Sequence, residues 1–219
     1  MFPFPFSFLA PVVDIPVDQI ANAEAMSFNG TDQYVNIPNN SVFNLGTSFT
    51  ISGWFNFNYT NSLRGLISFD SASTRGWFLY SQAGNQIKLY DGFASPPSGD
   101  FILTSSYTNS GSWDNFIITY DGTNLVFYIN GVQESTQAVS VNLQTNGNDG
   151  AIGNNQFSAG RYFNGKIDEV AIFNTALSAE KITQIYDATA VVGGVPQTAN
   201  LFTGGLSSSL VYWNRMGDS

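Results

Sequence analysis

The stretch FTISGWFNFNY, residues 49–59, alternates apolar and polar side chains along its length. Its odd positions are apolar except Gly53, and its even positions are polar except Trp54. A period of two predicts a β-strand, because successive side chains of a strand point to opposite faces of the sheet. We therefore expect a strand with one face buried in a core and the other face in water.

Hairpin signals lie on the C-terminal side of this strand. Strand patterns at residues 113–120 and 125–129 are separated by Asp121-Gly122, and a third at 132–136 follows Asn130-Gly131. Both dipeptides accept the positive φ of a tight hairpin turn. Further short strands are predicted at 25–28, 34–37, 65–69, 77–81, 86–90, 101–104, 151–153 and 166–173. Closely spaced short strands without alternating helices predict an all-β fold, a two-layer antiparallel β-sandwich.

One short C-terminal helix is predicted after these strands. Ser178 is suited to the N-cap, and Glu180 falls in the first turn, where the helix dipole favours an acid. Ile182, Ile185 and Tyr186 then share one face. We expect this helix to lie against the end of the sandwich.

The composition excludes several classes of function. The chain has 219 residues, a net charge of −9, and neither His nor Cys. The acidic balance disfavours binding to the phosphates of nucleic acid. The missing His and Cys remove the commonest general base, thiolate chemistry and zinc clusters. No apolar run has the length of a membrane-spanning helix.

The chain divides by composition into three regions: a Pro/Phe-rich extended arm at 1–24, the strand-rich domain at 25–187, and a Gly/Ser-rich extension at 188–219. The prolines of the arm favour extended backbone. An alternative is a processed leader, since Ala21-Asn22-Ala23 has the form of a cleavage site. An exposed run of Phe2, Phe4, Phe6 and Phe8 predicts contact with neighbouring protein subunits, because free monomers rarely expose such patches.

Four blocks of sequence carry a family resemblance. They are, in chain order, 26–30 with 34–35, 48–55, 111–113 with 119–122 and 128–131, and 163–170 with 177–182. Together they resemble the laminin-G-like (LamG) concanavalin A-like jelly roll of bacterial, phage and marine-virus proteins. The resemblance implies a jelly-roll topology for residues 25–187, with extended terminal arms outside it.

The C-terminal extension carries a second resemblance. Residues 213–218, Trp-Asn-Arg-Met-Gly-Asp, are similar to a junction in large structural proteins of marine phages and other viruses. There the element follows a domain of this kind and leads onward. The resemblance implies that the chain is a module of a longer assembly, and Trp213 is a candidate subunit contact beside the arm.

Asp168 is the most informative carboxylate. On the strand 167–173 it has the parity of Val170 and Ile172, which predicts an inward direction, whereas Glu169 has the opposite parity. An inward carboxylate must be hydrogen-bonded, paired or metal-bound. The family's architecture implies that Asp168 lies near the Asn29-Gly30 turn. Two interpretations are open: a structural Ca²⁺ site that includes Asn29 and Asp168, or a carboxylate that caps backbone N–H groups of the turn.

Catalysis by a local carboxylate pair is disfavoured. A glycosidase needs two carboxyl groups about 5–9.5 Å apart, which on a strand requires acids at i and i+2 or i+4. None of Glu24, Glu134, Glu169 and Glu180 has such a partner on its strand face. The sequence leaves open a catalytic carboxylate pair assembled from two distant strands. We therefore predict a non-enzymatic protein.

Aromatic residues outside the alternating core are candidates for stacking on sugars. The chosen glycan-binding set is Trp77, Tyr90, Asp91, Phe93 and Tyr162, with Tyr107 and Phe157 as further aromatic candidates. The alternative for each is a place in the core or in a subunit contact.

The function predicted from the sequence is a virion or extracellular structural and adhesion protein. Its lectin-like sandwich would bind glycans while the arms contact neighbouring subunits. The first alternative is a secreted carbohydrate-binding module of a bacterial degradative enzyme. A glycoside hydrolase of the same fold is the third hypothesis.

Overall fold

Two antiparallel sheets hold most of the described chain in the computed structural model. The structure describes residues 16–20, 22–57, 62–82, 86–92, 100–102, 111–189, 191–192 and 194–217. Its strands, labelled β1 to β17 in chain order, are Gln19–Ile20, Met26–Asn29, Val35–Ile37, Phe49–Phe57, Arg64–Ser68, Trp77–Gln82, Gln86–Asp91, Asp100–Ile102, Asp114–Tyr120, Asn124–Ile129, Val132–Ala138, Gly150–Ile152, Asn164–Phe173, Val191–Val192, Val195–Pro196, Thr198–Ala199 and Leu210–Asn214. The helix α1 spans Ala179–Ala188, and a 3-10 turn spans Ser41–Phe43.

The first sheet has seven strands in the order β11-β10-β9-β4-β13-β17, with β2 also paired to β13. Strands β2 and β17 share one edge of β13, β2 along residues 164–167 and β17 along residues 170–173. The second sheet has six strands in the order β3-β12-β5-β6-β7-β8. Two-stranded ribbons, β1 with β16 and β14 with β15, lie outside both sheets. The predicted antiparallel β-sandwich is confirmed.

The core lies between the two sheets. Alternate residues of β4, such as Ile51 and Phe55, point into it, as do Trp77 and Leu79 of β6 from the other sheet. Aromatic rings fill much of this space, and Phe55 stacks on Phe116 with ring centroids 5.0 Å apart. Each large apolar side chain that is fully buried in such a core contributes about 1.5–3 kcal/mol to stability.

The local signals of the sequence match the structure closely. The turn between β10 and β11 has positive φ at Asn130 (50°) and Gly131 (74°), as the Asn-Gly dipeptide predicts. Ser178 is the N-cap of α1, and its side chain accepts a hydrogen bond from the Lys181 backbone N–H. Ile182 and Ile185 are the buried residues of that helix.

The outer face of the seven-stranded sheet is covered, which differs from the predicted wet face of β4. Every residue of β4 except Asn56 is buried. Helix α1 lies on this face and not against the end of the sandwich, and its Tyr186 stacks on Trp54 at 6.0 Å. Trp54, the apolar exception among the even positions, is therefore the ring on which the helix packs.

The segments before β2 and after α1 also pack on the sandwich. Strand β17 pairs with β13, and the Met216 side chain beyond it is buried in the core between the sheets. At the other end, Gln19 and Ile20 pair with residues 198–199. Described residues outside the predicted boundaries at 25 and 187 therefore pair with strands of the sandwich or with each other, and the division of the chain at these boundaries stays a prediction. The arm residues Phe2, Phe4, Phe6 and Phe8 lie outside the described residues.

Candidate functional site

The loop at residues 153–163, between β12 and β13, is fixed on the outer face of the six-stranded sheet. The Gly65 N–H donates to the Arg161 carbonyl at 2.9 Å, and the Arg64 guanidinium donates to the Gly160 carbonyl at 2.7 Å. A Cβ added at Gly65 would lie 2.3 Å from the carbonyl carbon of Asn154. Only glycine allows the loop to approach β5 this closely, so the sequence of β5 determines where the loop side chains lie.

A second fixed loop joins β5 to β6. Asp70 is buried there, and its Oδ1 accepts hydrogen bonds from Arg75 Nε at 2.9 Å and from the Gly76 N–H at 3.0 Å. Asn148 ties down the same loop, because its Nδ2 donates to the Thr74 carbonyl at 2.8 Å and its Oδ1 accepts from the Thr74 hydroxyl. Arg75 is thereby held in one direction while 38% of its side chain stays exposed.

These two loops bring two arginines together on aromatic rings. The Arg75 guanidinium carbon lies 4.5 Å from the ring centroid of Tyr90 on β7 and 4.2 Å from that of Phe157. The Arg161 guanidinium carbon lies 5.0 Å from the same Phe157 ring. We call these four residues, Arg75, Tyr90, Phe157 and Arg161, the arginine–aromatic patch. Beneath it, Phe78 of β6 contacts Tyr90 with ring centroids 5.0 Å apart.

Burial shifts the ionisation of two groups at the patch. Burial raises the pKa of Asp70 above its ordinary value of 3.8, although the Gly76 N–H and Arg75 act in the opposite direction. Burial lowers the pKa of Arg161; Asp70 counteracts this effect, and the positive charge of Arg75 adds to it. The Asn155 side chain also acts to lower the pKa of Asp70, although Asp70 Oδ2 and Asn155 Nδ2 complete no hydrogen bond of good geometry within the described residues.

The structure places the predicted glycan-binding residues in different surroundings. Tyr90 belongs to the patch, and Tyr162 is at the end of the same loop, where its ring lies 6.3 Å from that of Tyr34. Trp77 is fully buried in the core and donates to the Phe43 carbonyl, so its prediction as a glycan-binding residue is wrong. Its parity on β6 points it inward.

The prediction for Asp91 as a surface ligand is also wrong. Asp91 is 1% exposed, and its Oδ2 accepts the backbone N–H of Asn142 at 2.9 Å. Phe93 and Tyr107 lie outside the described residues. Phe157 belongs to the patch, whereas Arg75 and Arg161 were missed, since they meet only through two loops that are far apart in the sequence.

The predicted calcium pair is not brought together. Asn29 pairs with Asn164 at the start of β13, and Asp168 lies four residues further along, about 13 Å at ~3.3 Å per residue. Asn29 Oδ1 instead accepts backbone N–H groups of Thr31 and Asp32 within its own turn. Among the described residues, no group of three or more acidic side chains is placed to hold a metal ion. Binding of Ca²⁺ elsewhere on the chain stays a prediction.

A β-bulge explains why Asp168 does not point into the core. The register of β13 against β4 shifts between Asp168 and Ala171, and Glu169 has a positive φ of 51°. Asp168 therefore lies opposite Trp54 on the outer face, where it is fully buried. Its carboxylate accepts from Asn22 Nδ2 at 2.8 Å and from the Glu169 N–H at 2.9 Å. The inward direction predicted from parity is wrong, since the bulge reverses the alternation.

Glu169 binds the C-terminal segment. Its carboxylate accepts from the Thr198 hydroxyl at 2.6 Å and from Trp213 Nε1 at 2.9 Å, and Arg215 Nε lies 3.9 Å away. Trp213 also contacts Phe202 of its own chain, with ring centroids 5.4 Å apart. The Trp213 indole thus binds within its own chain while its side chain stays half-buried, and its contact with a neighbouring subunit stays a prediction.

Similarities to known proteins agree with this architecture. The model of the Laminin_G_3 family, described as the concanavalin A-like lectin/glucanases superfamily, matches residues 29–183. No curated protein matches the sequence. None of the helices in the described parts of the chain combines the length and apolar character needed to cross a membrane.

Three solved structures illustrate the fold similarity. A candidate carbohydrate binding protein from Bacteroides ovatus has a TM-score of 0.62 and 16% identity, over 93% of this chain and 53% of that one. Our chain therefore spans about half of that protein.

Domain 4 of AbnA, an extracellular arabinanase from Geobacillus stearothermophilus solved with arabinotriose, has a TM-score of 0.58 and 21% identity over 80% and 81% of the two chains. The CBM40 domain of a Ruminococcus gnavus sialidase has a TM-score of 0.61 and 11% identity, over 75% of this chain and 97% of that one. Identities this low show a shared fold. The family match over residues 29–183 shows that this chain belongs to the Laminin_G_3 family of the concanavalin A-like lectin/glucanase superfamily.

Proposed function

We propose that this domain binds carbohydrate without catalysis, through the arginine–aromatic patch on the outer face of the six-stranded sheet. One observation carries the proposal: Tyr90 and Phe157 lie beside two guanidinium groups that are held there by fixed loops. Aromatic rings offer surfaces for the C–H faces of sugars, and guanidinium groups donate to ring oxygens and hydroxyls. This mixture of rings and convergent donors is typical of ligand sites.

Preorganisation supports the proposal. Hydrogen bonds from Gly65 and Arg64 fix the 153–163 loop, and Asn148 and Asp70 fix the loop that carries Arg75. A ligand that binds to groups already in place avoids most of the entropy cost of ordering them, about 0.5–1.5 kcal/mol per side chain.

The use of the buried carboxylates favours binding over hydrolysis. Asp91 and Asp168 hold backbone N–H groups, and Asp114 accepts from the Asn130 side chain at 2.8 Å. Glu169 binds the C-terminal segment from the opposite side of the sandwich. Each of these carboxylates has a role in holding the fold, and among the side chains that the structure describes Asp70 is the acid beside the patch.

The proposed setting is extracellular, on a virion or cell surface, as an adhesion or structural protein. The N-terminal arm with Phe2, Phe4, Phe6 and Phe8 supports contact with neighbouring subunits. The alternative is a carbohydrate-binding module of a secreted degradative enzyme, which is favoured by the similarity to a domain of an arabinanase. Light scattering of the full chain against a chain beginning at Pro16 separates the two. The adhesion setting predicts a smaller assembly after truncation, and an unchanged monomer contradicts it.

A glycan array followed by calorimetric titration tests the binding proposal. We expect the intact chain to bind at least one oligosaccharide class and F157A to weaken that binding about tenfold, equivalent to 1.4 kcal/mol. The matched control is F202A, because Phe202 is an aromatic residue with 68% exposure on the other side of the molecule. Binding that F157A leaves intact, or that F202A abolishes, contradicts the proposed site.

A further inference from the structure

Two positive charges of the patch share one aromatic ring. Arg75 and Arg161 lie 4.2 and 5.0 Å from the centroid of Phe157. Their guanidinium carbons are thus within about 9 Å of each other, inside the Debye length of about 10 Å at 0.1 M salt. Like charges at this separation repel each other, so their shared position needs a compensating interaction.

The positive charge of Arg161 is neutralised less by neighbouring carboxylates than that of Arg75. Arg75 has an ion pair with Asp70, whereas Arg161 forms none with any carboxylate of the described chain. The Arg161 guanidinium donates a long hydrogen bond, 3.4 Å, to Asn155 Oδ1. Burial lowers the pKa of this guanidinium, which means that its charge is partly removed from water. Asp70 offsets part of this cost but is already paired with Arg75, so an anionic ligand would stabilise the partly desolvated Arg161 charge further.

The surrounding charges have the same sign. Lys88 on β7 lies opposite Tyr80 on the outer face of the sheet, and Tyr80 is close enough to Arg161 to affect its pKa. Around the patch the cations Lys88, Arg75 and Arg161 outnumber Asp70, the one carboxylate among the side chains that the structure describes there, in a chain whose net charge is −9; Asp100 of β8 pairs with Tyr90 through its backbone. This concentration of positive charge is local and opposes the charge of the whole molecule.

We infer that the ligand of the patch is an acidic glycan whose carboxylate or sulfate group binds Arg161 and Arg75. The inference rests on the proposed carbohydrate-binding function and specifies its ligand class. The planar guanidinium fork matches the two oxygens of a carboxylate or sulfate, with charge-assisted hydrogen bonds about twice as strong as neutral ones. The ring of the same sugar would lie against Phe157 or Tyr90, which flank Arg75.

Matched pairs of glycans test this inference. The first pair is an oligogalacturonide and its fully methyl-esterified, neutral form, and the second is a sulfated galactan and its desulfated form. Titration at low and high salt is performed with the full chain, R161Q, R161K and the control K166Q. Lys166 is exposed on β13 of the other sheet, so K166Q removes the same charge away from the patch. The backbone carbonyl of residue 161 that anchors Gly65 is retained in both Arg161 variants.

We expect one acidic member to bind at least tenfold more tightly than its neutral partner, and to weaken as salt rises. R161Q should bind the acidic glycan about tenfold more weakly than the unmodified chain, and R161K should recover part of that affinity. K166Q should have an affinity within about twofold of the unmodified chain. The two pairs show whether the acidic group is a carboxylate or a sulfate. Equal binding of acidic and neutral partners overturns this inference and leaves carbohydrate binding standing. Absence of binding to every glycan overturns both.

Discussion

Glu169 is predicted to hold the C-terminal segment on the sandwich, and its replacement by alanine tests this role. E169A removes the acceptor of the Thr198 hydroxyl, 2.6 Å away, and of Trp213 Nε1, 2.9 Å away. Thr198 is fully buried, so its hydroxyl cannot turn to water. Hydrogen bonds to a charged group contribute about 1.5–3 kcal/mol each, so the loss of two in E169A should lower the free energy of unfolding by about 3–6 kcal/mol.

Urea unfolding followed by tryptophan fluorescence and circular dichroism measures this loss. E169G should be about 1 kcal/mol more stable than E169A, because residue 169 has a φ of 51° that glycine adopts without strain. The matched control is E134A, which removes an exposed Glu on β11 and should change stability by less than about 0.5 kcal/mol. A loss below about 1 kcal/mol for E169A would refute the reasoning, since two charge-assisted bonds could not then hold the segment.

Two further predictions concern the patch and its supports. G65A should displace the 153–163 loop and abolish glycan binding, because the added Cβ would lie 2.3 Å from Asn154. In the control G160A, in the same loop, the added Cβ has no neighbour within 4 Å, so binding should persist and strain at positive φ should cost only about 1 kcal/mol of stability. Titration measures binding and urea unfolding measures stability. Burial raises the pKa of Asp70, so the folded state holds its proton more tightly than the unfolded state, and stability from this group falls as pH rises above 3.8. The unfolding free energy of wild type relative to D70N should therefore decline over that range, and a rising difference would contradict the assigned cause.

Local signals in the sequence predict most of the fold. The alternation of residues 49–59 predicts β4, and the Asn130-Gly131 dipeptide predicts the positive φ of its turn. Ser178 predicts the start of the helix. These features depend on neighbouring residues alone, so they can be read without the tertiary structure.

Other features depend on long-range packing. The bulge at Glu169 reverses the direction of Asp168, and no glycine or proline marks it in the sequence. Likewise, residues 77–80, Trp-Phe-Leu-Tyr, are all aromatic or apolar, so no alternation in the sequence shows which of them face the core. The covered outer face of β4 needs the C-terminal segment to fold back, which a pattern of period two does not encode.

The arginine–aromatic patch also depends on long-range packing, so the sequence alone does not predict it as a whole. Arg75 and Arg161 are held by the loop after β5 and the loop after β12, and the two loops meet because Gly65 admits the second one. Tyr90 and Phe157 were predicted as candidates because aromatic side chains in polar surroundings are recognisable individually. Their arginine partners are identified only from the assembled sheet.

Hydrogen–deuterium exchange with and without a bound glycan tests the site most directly. The glycan is the one selected by the array, and exchange is followed along the whole chain. We predict slower exchange in residues 153–163 and 70–76 when the glycan is present, with β13 and α1 unchanged. Protection confined to the 29–34 turn or to the C-terminal segment, with the two patch loops unaffected, would contradict binding at the outer face of the six-stranded sheet.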